Sequence, residues 1–111
     1  MSHQRVMLVR ARPGTSEARR ALETAAGWAV EQAPSLVFFH GPGLIHAAGA
    51  GACGFSTLGR RGLDLRVCRA GWRRLSGDSV PEPFTVGSLV QFWAAALGAL
   101  EVRSFGAERD D

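Results

Sequence analysis

Lysine, tyrosine and asparagine are all absent, and cysteine occurs only at positions 53 and 68. Two thiols are too few to hold a small domain together by disulfides. No window approaches the ~18 consecutive apolar residues of a membrane span. The first apolar stretch, Val6-Met7-Leu8-Val9, is shorter than the core of a secretion signal. These absences predict a cytoplasmic protein with reduced thiols. With no lysine, all 13 Lys/Arg positions are arginine, and guanidinium stays charged at any working pH, so the formal net charge of +3 persists into alkali. A basic balance of that origin is a weak argument for nucleic acid. Placement is more informative, because Arg60, Arg61, Arg66, Arg69, Arg73 and Arg74 cluster in one stretch fit to attract an anion or an acidic partner.

The chain has 111 residues, of which 46% are hydrophobic and 21% charged, the balance of one modest globular core rather than a disordered chain. Arg5–Arg10 reads as a strand and Pro13-Gly14 as the break after it. Thr15 or Ser16 caps a helix in which Ala18, Ala21, Leu22, Ala25, Ala26, Ala29 and Val30 recur at helical spacing, and Pro34 ends it. Ser35–His40 is apolar without alternation, as in a strand covered on both faces. A short helix near Leu44–Ala48 and a flexible Gly/Ala loop to Gly59 follow, then a strand over Leu63–Cys68 and a helical turn or two over Arg69–Leu75. After the Asp78–Pro83 loop, Thr85 is expected to cap an apolar helix running from Val86 to Gly98. Leu100–Phe105 is a last strand, and Gly106–Asp111 an acidic, frayed tail. Strands alternating with helices predict an α/β fold: a three-layer α/β/α sandwich on a mostly parallel, flavodoxin-like sheet of four to five strands, with residues 1–111 as a single domain.

Gly49-Ala50-Gly51-Ala52-Cys53-Gly54 matches G-x-G-x-x-G as a string. A dinucleotide site places that string in the first strand-to-helix turn with an acid about 20 residues on, and neither condition holds. His40, His46, Cys53 and Cys68 stand six, seven and fifteen residues apart, without the close pairs that structural zinc sites use, so no metal is expected. Cys68 closes a strand and precedes a helix, at the edge of a parallel sheet where reactive groups gather. A helix amino end together with Arg69 and Arg73 favours the nucleophilic thiolate there; the alternative is a small buried hydrophobe completing the strand. Cys53 is either a resolving thiol or a bystander. Phe92 and Trp93 point in different directions from one helix, so that helix needs apolar cover from a second copy or another subunit.

Leu36-Val37-Phe38-Phe39-His40-Gly41, Gly43-Leu44-Ile45-His46-Ala47, Leu65-Arg66-Val67-Cys68-Arg69-Ala70, Phe84-Thr85-Val86-Gly87-Ser88-Leu89 and Val102-Arg103-Ser104-Phe105, in that order, resemble the DsrE/TusD-like sulfur relay proteins. The chain departs from them in Leu44-Ile45-His46-Ala47-Ala48, where relatives continue with polar residues, in the short segment before the Cys68 strand, and in Leu100, where many relatives carry an acid. The resemblance implies a flavodoxin-like domain in homo- or hetero-oligomeric trimers or hexamers. It also implies that Cys68 carries sulfane sulfur as a persulfide, received from a TusA- or rhodanese-like donor and passed to a DsrC/TusE-like acceptor, with no cofactor. On that reading Arg66, Arg69, Arg73 and Arg74 steady the anion or dock a partner, and His46 is a proton donor over the pocket; the alternatives are a solvated helix face for the arginines and a plain loop histidine at 46. The competing readings are a non-catalytic subunit of a DsrE/F/H-like oligomer and, on the glycine loop and the arginines, a nucleotide- or nucleic-acid-binding module.

Overall fold

A computed structural model describes residues 3–48, 54–77 and 79–106. The elements are β1 (Arg5–Val9), α1 (Ser16–Glu31), β2 (Ser35–Phe39), a 3-10 turn (Gly41–Leu44) leading into α2 (Ile45–Ala48), α3 (Gly54–Arg60), β3 (Asp64–Cys68), α4 (Arg69–Leu75), β4 (Phe84–Gly87), α5 (Leu89–Gly98) and β5 (Glu101–Phe105). Five strands form one parallel sheet in the order β4-β3-β2-β1-β5. The chain steps outward from β1 to β4 and then crosses back to the far side of β1. Right-handed crossovers put helices made in opposite directions on opposite faces. Accordingly α1 and α3 pack together on one face, and α5 takes the other, where Phe92 meets Phe38 at 5.5 Å between ring centroids.

β2 explains the layering. All five of its residues are buried. Phe39 faces α3, edge-on to Phe55 at 5.1 Å, while Phe38 faces α5, so a continuous apolar run satisfies two helix layers at once. In α1 the buried stripe is Ala18, Ala21, Ala25 and Trp28; Val30, expected on the apolar face, is exposed. Thr15 is the cap, accepting from the amide of Ala18.

Two expected elements differ. Phe84–Gly87 is an edge strand beside β3, and the helix cap is Ser88 rather than Thr85. Ser88 and Gln91 form a reciprocal capping box, side chain to backbone in both directions. Part of the segment read as a flexible loop is α3, whose glycines serve close packing. A Cβ on Gly54 would lie 2.7 Å from Leu22, and one on Gly59 would lie 2.6 Å from Pro83 and 2.8 Å from Leu65. Residues 49–53, which hold Cys53 and most of the G-x-G-x-x-G string, and residues 107–111 of the acidic tail lie outside the described residues. No described helix is long and apolar enough to cross a membrane.

Candidate functional site

The carboxyl edge of the sheet collects the chemically interesting groups. Cys68 is the last residue of β3 and the amino-terminal cap of α4, and it is a free thiol, 7% exposed. β3 registers Cys68 against Gly87 of β4. A Cβ on Gly87 would press Arg66 and Gln91 at 3.1 Å, so the close approach of these two side chains requires glycine there. A cavity of about 320 Å³ is lined by Cys68, Arg69, Ala70, Arg73, Gly87, Ser88 and Leu89. Its walls are therefore the first turn of α4 and the capped start of α5. Gly71 lets α4 lie close on the 3-10 turn, with Leu44 2.6 Å from where a Cβ would stand.

The expected site residues divide among three places. Arg69 and Arg73 line the Cys68 cavity. Arg66 shares the face of Cys68, two residues earlier on the strand, but its guanidinium is turned onto Asp64, donating through Nε at 3.1 Å and Nη2 at 2.8 Å. Arg74 lies toward His40, whose pKa is lowered by partial burial and then by the nearby charges of Arg10 and Arg74. His46 is elsewhere. It is 6% exposed, tilted against Phe39 and edge-on to Phe55, and its Nε2 donates to the Ala11 carbonyl at 2.9 Å. Burial pushes its pKa down, and the Ala11 hydrogen bond opposes this in part. It lines a second cavity of about 430 Å³ with Pro13, Gly14, Thr15, Ala18, Arg19, Leu22, Ile45, Gly54 and Phe55. Among the described residues, no group of three or more His, Cys, Asp or Glu side chains is placed to hold a metal.

Charge is segregated along the strands. At the amino edge, Glu31 and Glu101 meet Arg5, Asp64 meets His3 and Arg66, and Glu101 also meets Arg103. At the carboxyl edge Arg10, Arg12, Arg69, Arg73 and Arg74 form no ion pair among the described residues, and Glu17 is held by Arg20 at 2.7 Å. Gly87 and Ser88 complete the thiol's cavity and were not singled out as site residues from the sequence. The legible signal was Ser88-x-x-Gln91 ahead of an apolar helix, which marks the helix start and frees Phe84–Gly87 to be a strand.

The class these elements define is a five-stranded parallel α/β sandwich with a thiol at the carboxyl edge of its third strand. In fold the chain is similar to YchN from E. coli, with a TM-score of 0.74 and 16% identity over 92% of this chain and 99% of that one. It is similar also to MTH1491 from Methanobacterium thermoautotrophicum, described as a protein of unknown function, with a TM-score of 0.66 and 15% identity over 87% and 97%. At such identities the likeness is one of fold. No family model matches the sequence, and no curated protein matches it either.

Proposed function

We propose that this protein is a sulfur carrier of the DsrE/TusD-like kind, working through Cys68. The observation that carries the reading is the cavity in front of the sulfur, bounded by two arginines and by the amino-terminal turns of α4 and α5. The Cys68 thiolate attacks the outer sulfur of a donor persulfide. The donor's S–S bond breaks, its thiolate leaves, and Cys68–S–SH forms. An acceptor thiolate then attacks that outer sulfur, takes it, and returns Cys68 to the thiolate. Each step exchanges one S–S bond for another, so the relay needs no external oxidant, metal or organic cofactor. Arg69 and Arg73 face the charge on the departing or arriving thiolate. The donor is TusA- or rhodanese-like and the acceptor DsrC/TusE-like. Subunits associate through the exposed apolar side of α5.

Intact-mass measurement after incubation with a persulfide donor is expected to show one added sulfur, removed by dithiothreitol and absent in Cys68→Ser. Labelling confined to Cys53, or none, would exclude the relay. The near-complete burial of Cys68 favours a second reading, a structural subunit whose thiol is never used. Sluggish alkylation of Cys68 by iodoacetamide in the folded protein at neutral pH decides for that reading.

A further inference from the structure

The larger cavity lies apart from Cys68, and the sulfur-relay reading makes no use of it. Its volume of about 430 Å³ falls within the range of small-molecule sites, about 300–1,000 Å³. Its floor and walls are mainly carbon: Pro13, Ala18, Leu22, Ile45 and Phe55. Three features give it polarity.

First, His46 is more than nine-tenths buried, and its ring packs against Phe39, tilted at 46°, and edge-on to Phe55. Since a carbonyl oxygen only accepts, the contact with Ala11 places the proton on Nε2. In the neutral ring Nδ1 then carries a lone pair. It has no hydrogen-bond partner among the described residues, yet no buried side-chain nitrogen or oxygen there is left unsatisfied. Nδ1 is therefore reachable, and the cavity is the space His46 borders. Second, Thr15 and Ala18 bring the amino end of the 16-residue α1 into the wall, where the helix dipole favours an anion. Third, Arg19, one turn further along, reaches the same cavity with no ion-pair partner among the described residues. The one carboxylate in that first turn, Glu17, is engaged by Arg20.

We propose that this cavity binds a small carboxylic acid with an apolar, ring-sized body and one hydrogen-bond donor. The body fills the carbon-lined space, the donor meets Nδ1 of His46, and the carboxylate lies between Arg19 and the start of α1. A buried acceptor left without a donor is costly, so the ligand's hydroxyl or N–H decides which acids are taken.

The test uses the full chain and three probes: 4-hydroxyphenylacetate, phenylacetate, which lacks the donor, and 4-hydroxyphenethyl alcohol, which lacks the charge. Saturation-transfer and long-range ¹H–¹⁵N spectra are expected to show 4-hydroxyphenylacetate binding with a shift of the His46 Nδ1 signal. Phenylacetate should bind about tenfold more weakly, as for one lost hydrogen bond of ~1.4 kcal/mol. Arg19→Gln, at an exposed position, should weaken both acids and leave the alcohol unchanged. His46→Phe should abolish the preference for the hydroxylated acid, and Cys68→Ser should change nothing. Equal affinity for all three probes, no binding at millimolar concentration, or shifts that map to the Cys68 cavity would overturn the assignment.

Discussion

Burial does different things to the two residues that carry the proposals. Cys68 lines a small cavity beside two arginines, whereas His46 is packed against two phenylalanine rings with its tautomer set by the Ala11 carbonyl. The His46 consequence is measurable as pH dependence. Its folded-state pKa is depressed below the ordinary 6.5, so the unfolded chain takes up the proton first as pH falls. The stability due to the neutral, buried ring is fully present above about 6.5 and is lost as pH drops from there through the folded-state value. His40 shifts in the same direction, from partial burial and then from Arg10 and Arg74. Urea denaturation at pH 7.5 and pH 5.5 is expected to show lower stability at the acidic value. The difference should shrink, without vanishing, in His46→Gln. Cys68's place at a strand end was legible because the alternating Leu63–Cys68 segment stops there, ahead of Arg69. His46's place was not, because it depends on Ala11, 35 residues away in sequence, offering its carbonyl.

At the scale of elements, β1 and β2 could be read because Val6–Val9 and Leu36–Phe39 are short apolar runs bounded by Pro13-Gly14, Pro34 and Gly41-Pro42, and β3 because Leu63–Cys68 alternates. β4 could not be read so easily. Its four residues are buried only at Phe84 and Gly87, a pattern set by its position at the sheet edge rather than by its own composition. α3 was hidden by Gly54 and Gly59, which weaken helix propensity while permitting the approach of Leu22, Leu65 and Pro83. Gly43 shows the same trade more sharply: a Cβ there would fall 2.2 Å from the Val9 carbonyl, so only glycine lets the 3-10 turn cross the end of β1. The Ser88–Gln91 box fixes where β4 stops and α5 starts, and with it one wall of the thiol's cavity. Ser88→Ala is expected to cost about 1 kcal/mol, read as a lower urea midpoint with an unchanged slope.

For the whole molecule, α5 is the unbalanced part. It buries Phe92 but leaves Val90, Trp93 and Leu97 exposed at 78, 59 and 88%, with Leu100 exposed beyond its end. Water is a poor neighbour for such a stripe, which is the physical ground for the proposed association. If subunits cover it, the melting temperature should rise with protein concentration. Trp93→Glu should remove that dependence and shift sedimentation to the monomer; a wild type that sediments as a monomer at high concentration would refute association through this helix. The separation of charge along the strands has a further consequence, for motion before contact. Among the described residues, matched pairs at one end and unpaired guanidinium at the other give the sheet a handle for an external field. A negatively charged body drifting toward it from any side exerts a torque, and the protein turns thiol end first while still some ångströms away. Above roughly 0.1 M salt, where screening acts within about 10 Å, that turning fades and encounters become random in orientation.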